Sequence, residues 1–206
     1  MSDNHVNDLV DQFYADGYVI VKNVYSQETV DALQTSWPWP SRLYSAETLT
    51  GGRLFGTLSG KGASSLLPES YRKSPLVHAL VREMFRRGGS RYDERHFGFV
   101  NAVPGTEAQR WHRDDKDIIV DDRLRYLLVL TPLAHVEKAM GFPEILVGSH
   151  MAITRNMTVT DGDVVCTAEL QPGEALFLSG SVVHRGTRNT TDKERVLLWT
   201  RFTSFV

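Results

Sequence analysis

The chain predicts a mainly β protein with flanking helices, folded as a jelly-roll barrel, and three observations support this. From Tyr92 onward it breaks into short strand-like runs at 95 to 103, 109 to 114, 123 to 132, 142 to 147, 163 to 169, 174 to 179, 181 to 185 and 195 to 204. Turn signals such as Pro104-Gly105 and Pro172-Gly173 separate them. The stretch before Tyr92 instead shows helical spacing with capping residues. Strands of that number and length close into two facing sheets, with the helices packed outside.

Within residues 5 to 16, Val6, Leu9, Val10, Phe13 and Tyr14 recur at helical spacing, and Gly17 is a helix stop. The β-branched run Tyr18 to Lys22 reads as a strand, and Ser26 caps a second helix to about Gln34. Trp37-Pro38-Trp39-Pro40 ends it, because proline lacks the N–H and forces its predecessor out of the helical region. From 41 to 74 periodicity is poor and glycines are frequent, which predicts a long loop. Such a loop is either a lid over a cavity, with Arg53 or Lys61 reaching a substrate, or solvated surface. Ser74-Pro75 opens a third helix with Leu76, Val77, Leu80, Val81, Met84 and Phe85 on one side. Arg86, Arg87 and Gly88 close it, cations at the negative end of the helix dipole.

With 206 residues and 41% of them hydrophobic, the chain can bury one core, and a single domain over 1–206 is expected. Its 23 basic and 25 acidic groups nearly cancel, so no global field recruits nucleic acid or an acidic membrane. The lone Cys166 allows no internal disulfide and fits a reducing compartment. Met1 to Asp16 interrupts every apolar stretch with Asp or Asn, and no run approaches the ~18 apolar residues of a membrane span. A cytoplasmic protein without nucleic-acid or membrane partners is expected; the sequence sets no oligomeric state.

The chemistry gathers at Gln109-Arg110-Trp111-His112-Arg113-Asp114. On an extended strand His112 and Asp114 point the same way, and His184 from a distant strand would complete three ligands on one face of a metal. Two imidazoles and one carboxylate are the set that leaves open positions on non-haem Fe(II) for a cosubstrate and dioxygen. His-x-Asp alone is a weak signal in a chain with seven histidines and 25 acidic residues. Arg195 strengthens it: it opens the strand-like run to Phe202, and the turn-rich stretch Gly186 to Lys193 lets the chain double back from His184. A planar guanidinium in that cavity suits the far carboxylate of 2-oxoglutarate, held by two parallel hydrogen bonds.

Four blocks taken together resemble the phytanoyl-CoA dioxygenase family of Fe(II)- and 2-oxoglutarate-dependent oxygenases. They are Phe13 to Val24 with the following Ser26 to Leu33, Gln109 to Asp114, Gly141 to His150, and Pro172-Gly173-Glu174 to Phe202, and they stand in the family's order. The resemblance implies a double-stranded β-helix, a cupin-like jelly roll, with Fe(II) on His112, Asp114 and His184. It implies 2-oxoglutarate on the iron with its far carboxylate on Arg195, O2 as oxidant, and succinate and CO2 as coproducts. It further implies hydroxylation or another oxidation of an unactivated C–H bond of a small-molecule substrate, in keeping with a biosynthetic tailoring role. Halogenating relatives lack the carboxylate, so Asp114 argues for hydroxylation or a related oxidation. Gln109 matches a glutamine that contacts the cosubstrate in some members, yet strict alternation puts it on the wrong face, so either the strand bends or Gln109 points away. Thr131 either donates its hydroxyl to the cosubstrate or is a threonine at the core's edge. Family members often carry a hydroxyl residue two positions after the distal histidine; here that position is Gly186, leaving Thr187 as a substitute or Arg195 with fewer helpers.

Arg113 and Lys116 flank the expected mouth and are candidates for an anionic group of the substrate, against the alternative of ordinary exposed cations. Asp115, Asp117, Asp121 and Asp122 read as a solvated acidic loop. His150 reads as structural, and His5, His78, His96 and His135 lack partners at ligand spacing. On the last strand Arg195, Leu197, Trp199 and Arg201 share a face, so Trp199 lines or backs the cavity. Two other functions fit the same residues, a catalytically silent jelly-roll that binds a small ligand and a Zn-dependent hydrolase or isomerase on the same triad.

Overall fold

A computed structural model describes residues 3–49, 51–59, 62–115, 123–151 and 159–205. The expected helices form where their caps and apolar spacing put them. Helix α1 (Asp3–Asp16) buries Val10 and Phe13, and the Gly17 N–H returns to the Phe13 carbonyl at 2.8 Å to end it. Strand β1 (Tyr18–Val21) follows. Helix α2 (Gln27–Ser36) starts at Ser26, whose hydroxyl accepts from the Thr29 N–H at 3.3 Å. Helix α4 (Pro75–Arg87) starts at Ser74 in the same way, with proline in its first turn and Arg86 and Arg87 in its last. The short α3 (Glu69–Arg72) precedes it.

The stretch 41 to 74 is not one long loop. Strands β2 (Tyr44–Thr48) and β3 (Leu54–Leu58) pair as a hairpin, and β3 adds to β4 (Arg91–Ala102). The remaining strands are β5 (Tyr126–Pro132), β6 (Pro143–Leu146), β7 (Val165–Thr167), β8 (Ala175–Ser179), β9 (His184–Gly186) and β10 (Arg195–Phe205). All pair antiparallel, in a seven-stranded sheet ordered β1-β8-β5-β10-β4-β3-β2 and a three-stranded sheet ordered β7-β6-β9. This is the expected mainly β jelly roll with helices outside. The predicted strand at 109 to 114 is the exception: only His112 bridges, to His184, and the rest is irregular.

The large sheet buries both faces, and period-two alternation sorts its side chains between two cores. Leu127 and Val129 of β5, Phe177 of β8 and Val196 and Leu198 of β10 pack with Phe13, Leu33, Leu80 and Phe85 of the helices. Leu128, Leu130, Leu176, Leu178, Leu197 and Trp199 face the other way and meet Phe142 and Ile145 beneath the small sheet. The functional cavity opens within this second, inter-sheet core.

Its far wall depends on a close approach. Gly98 of β4 lies opposite Trp199 of β10 and Thr57 of β3. A Cβ on Gly98 would stand 2.0 Å from the Gly56 carbonyl oxygen and 2.3 Å from the Trp199 ring. Backbone paired on both sides cannot yield, so Gly98→Ala is expected to lower unfolding stability by about 1–3 kcal/mol or more, measured by urea denaturation.

Candidate metal centre

The segment 109–115 docks along β9 by a few backbone contacts. The His112 N–H donates to the His184 carbonyl at 3.0 Å and the His184 N–H returns to the His112 carbonyl at 2.9 Å. Such a reciprocal pair sets the two residues side by side, and their rings lie 4.4 Å apart at 50°. Asp114, one pleat further on, turns to the same side: its Oδ1 is 3.7 Å from His112 Nε2 and 3.8 Å from His184 Nε2. One ligand atom from each of the three lies within 4.8 Å of the others, the spacing at which a single ion can be held.

The tautomers suit that use. His112 Nδ1 bonds the Arg110 carbonyl at 2.9 Å, and His184 Nδ1 bonds the Val182 carbonyl at 3.1 Å. A carbonyl only accepts, so each Nδ1 carries a proton, and Nε2, the nitrogen nearer Asp114, is the one left to ligate. Burial, reinforced by the neighbouring His184, lowers the proton affinity of His112 below that of a free imidazole and favours the neutral, ligating form.

These three groups line a cavity of about 580 Å³, its open mouth included. The walls are mostly apolar: Leu128, Leu130, Leu178, Leu197 and Trp199, the last stacked on Phe55 with centroids 5.1 Å apart and planes 11° apart. Nothing in the periodicity of the sequence marked Phe55, because the hairpin that carries it was read as loop.

Arg195 points into this cavity, as expected from its face of β10. It is 3% exposed; Nη1 donates to the Gly141 carbonyl at 2.5 Å, and Nε has no partner. Arg53 is fully buried and does not ride on a solvent lid. It sits in the β2–β3 turn with Nη1 on the Glu107 carbonyl at 2.5 Å, Nη2 on the Thr187 carbonyl and Nε unpartnered. Neither guanidinium has a carboxylate partner among the described residues. Burial, and then the Arg53 cation, lowers Arg195 from its ordinary value to about 9; burial lowers Arg53 to about 10. Arg195 lines the cavity as a desolvated cation with an unused donor, a place where an anion is stabilised; Arg53 is not among the lining residues but stands close enough to lower Arg195.

Gln109 resolves in favour of a bend. Its N–H reaches the Gly186 carbonyl, out of step with the 112–184 pair, and its Oε1 accepts from the Gly186 N–H at 2.9 Å, which keeps the amide on the cavity wall. The absent hydroxyl residue at 186 is also explained: a Cβ there would stand 2.7 Å from Arg53 Nε and 2.9 Å from Gln109 Oε1, so the guanidinium takes that space. Thr187 is no substitute, because its hydroxyl donates to the Phe142 carbonyl at 3.1 Å.

Two expectations are corrected. Thr131 does not line the cavity: Leu128 and Leu130 do, and alternation sends Thr131, 1% exposed and with its hydroxyl unpartnered, to the helical side with Val129. Arg113 does not face the mouth; between two residues that turn inward it turns away, donating from Nε to the Ser181 carbonyl at 2.7 Å and from Nη2 to the Ser149 carbonyl at 3.1 Å. His150 is half-buried against α1, with Nε2 on the Tyr14 carbonyl at 3.0 Å. Lys61, Lys116, Asp117, Asp121 and Asp122 lie outside the described residues. No helix among the described residues is long and apolar enough to cross a membrane.

Several known proteins share this architecture and parts of this sequence. The dioxygenase peniF of Penicillium patulum is 30% identical over 131 residues, 55% of this chain and 42% of that protein. The Fe(II)/2-oxoglutarate-dependent dioxygenase nvfF of Aspergillus novofumigatus is 26% identical over 206 residues, 90% of this chain and 67% of that protein. The chain thus spans between two fifths and two thirds of the length of these curated relatives. Among solved structures, the non-heme alpha ketoglutarate dependent epimerase SnoN from nogalamycin biosynthesis superposes with a TM-score of 0.74 at 15% identity, covering 98% of this chain and 84% of that one. The carbocyclase SnoK from the same biosynthesis gives 0.74 at 17% identity with the same coverage. At such identities the likeness is one of fold. The sequence model of the phytanoyl-CoA dioxygenase family matches residues 13–197, nearly the whole chain, and the protein belongs to that family.

Proposed function

We propose that the chain is an Fe(II)- and 2-oxoglutarate-dependent dioxygenase that oxidises, by hydroxylation, an unactivated C–H bond of a small-molecule substrate. The observation that carries this is the convergence of His112 Nε2, His184 Nε2 and Asp114 Oδ1 on the wall of an apolar cavity that also holds the unpaired Arg195 guanidinium. The donor set fits the group: two neutral imidazoles and a carboxylate suit ferrous iron, and the retained carboxylate leaves no ligand place for halide. Bound iron, with 2-oxoglutarate and dioxygen, supplies the oxidising power, and succinate and CO2 are the coproducts.

The chain's own residues do the rest. His112 and His184 are aimed by the Arg110 and Val182 carbonyls, which hold Nδ1 and leave Nε2 to ligate. Arg195 receives the far carboxylate of the cosubstrate through donors it does not spend elsewhere, and Arg53 adds a second positive charge close to it. Gln109, fixed by its Oε1 on Gly186, contributes its amide to the same wall. Leucine walls and the Phe55–Trp199 stack exclude water and accept an apolar portion of a substrate. A silent ligand-binding barrel needs neither three converging ligand atoms nor buried unpaired cations. The names of the relatives, a dioxygenase and an Fe(II)/2-oxoglutarate-dependent dioxygenase, support the oxidation, and a biosynthetic tailoring role is part of the same proposal.

Replacing His112 or Asp114 by Ala is expected to abolish iron-dependent conversion of 2-oxoglutarate to succinate without unfolding the protein, followed by succinate release and circular dichroism. Arg195→Met is expected to weaken 2-oxoglutarate binding by roughly 2–5 kcal/mol in a calorimetric titration, since one partner of a buried charge pair is removed. Gly186→Ala places a methyl group against Arg53 Nε. It is expected to cost about 1–3 kcal/mol of stability and to weaken 2-oxoglutarate binding, with the stability loss reduced when Arg53 is Ala in the same chain.

A further inference from the structure

The turn that leads into His184 spends three consecutive carbonyls on the other elements of the metal site. The Gly180 carbonyl accepts from the Asp114 N–H at 3.0 Å and the Asp115 N–H at 2.9 Å. The Ser181 carbonyl accepts from Arg113 Nε at 2.7 Å, and the Val182 carbonyl holds His184 Nδ1. The next residue, Val183, donates its N–H to Ser149 Oγ at 2.8 Å, and the carbonyl of that same serine accepts from Arg113 Nη2 at 3.1 Å. Ser149 is 2% exposed, so its two bonds form out of water.

Asp114 and His184 lie 70 positions apart in the chain with no continuous ladder between their segments. What sets the separation of their ligand atoms is how the segment 112–115 seats on the turn 180–184. Backbone N–H groups fix one side of that seat. On the other side, among the described residues, the Arg113 fork reaches both the turn and the Ser149 loop. A guanidinium donates from Nε and Nη in fixed directions, whereas an ammonium is a point donor on a flexible stem. We infer that Arg113 and Ser149 act as positioning residues that brace the 112–115 segment against the turn before His184 and so set the geometry of the three metal ligands. This rests on the metal-centre reading proposed above. It also gives the Gly148-Ser149-His150 stretch a role: the serine serves the metal site while His150 anchors the same loop to α1.

The test uses Co(II) as a spectroscopic stand-in, titrated into metal-free full-length protein under nitrogen and followed by its visible absorption bands. Arg113→Met is expected to weaken Co(II) binding about ten- to a hundredfold, the usual effect of removing a group that orients a ligand, and to change the band pattern. Arg113→Lys keeps charge and stem but loses the fork, and is expected to fall between wild type and Arg113→Met; Ser149→Ala is expected to change the bands in the same direction. Wild-type affinity and bands in these variants overturn the inference, as does a lowered melting temperature with unchanged bands, which marks a packing role alone. Should Arg113→Met fail to fold, Arg113→Lys decides by the same criteria. His112→Ala in the same titration separates the two readings: if it binds Co(II) as the wild type does, the metal centre itself is refuted and the brace with it; if it loses Co(II) while the Arg113 variants do not, only the brace is refuted.

Discussion

The pair of backbone hydrogen bonds between His112 and His184 is the constraint from which the rest of the site follows. Two residues that exchange both N–H···O bonds stand face to face across an antiparallel pair. Their side chains rise on the same side, and a residue two positions along either chain joins them. Three ligand atoms within 4.8 Å are the consequence. The bridge belongs to no extended ladder, so it draws little support from neighbouring pairs. Its register is held instead from outside, by the turn 180–184 and by the small sheet, where Ile145 of β6 pairs with His184.

Parity organises the cavity as firmly as register organises the ligands. In β5 and β10 alternate residues serve two different cores, and a shift of one residue exchanges them. Arg195, Leu197 and Trp199 reach the cavity because they are odd-numbered on β10; Leu128 and Leu130 reach it because they are even-numbered on β5. The register Trp199 to Leu130 brings these two sets onto one wall. Thr131 pairs with Leu198 and goes with it to the helices.

That sorting also explains what could be read in the sequence. His112, Asp114 and His184 were legible because two of them share a period-two spacing and the chain order supplied the third. Arg195 was legible from its place at the start of the last strand. The helices were legible from caps and spacing, and Ser26 and Ser74 stand where the chain predicts them. Thr131 was not, because a strand buried on both faces shows no polar alternation, and Tyr126 to Pro132 reads as one apolar run whose inward parity only the paired strand decides. Arg113 was not, because its partners are backbone carbonyls 36 and 68 residues away, which leave no mark on side-chain chemistry. Arg53 was placed near the site but on the wrong kind of support, since glycines at 51, 52 and 56 that serve a tight turn and a close approach to Phe99 look like those of a loop. Gln109 was ambiguous because strict alternation sends it to the wrong face, and the bend at 109 to 112 brings its amide to the cavity wall.

The outside and the inside of this site are finished differently. On the outside, the Gly180, Ser181 and Val182 carbonyls are all taken, by the Asp114 and Asp115 N–H groups, by Arg113 Nε and by His184 Nδ1, and Arg113 Nη2 donates to the Ser149 carbonyl. Inside, Arg53 Nε and Arg195 Nε are buried without acceptors, and three ligand atoms face one another across less than 5 Å. Burying a cation away from water without a counter-charge opposes folding, and apolar side chains of similar volume would often be the more stable choice. A chain shaped for stability alone would therefore have satisfied or removed those groups. Saturated supports around unsaturated donors and ligands are the arrangement expected when the missing partners arrive from solution, and the two guanidiniums lower the electrostatic cost of an anion entering while the saturated turn keeps the ligands from collapsing onto one another before it does.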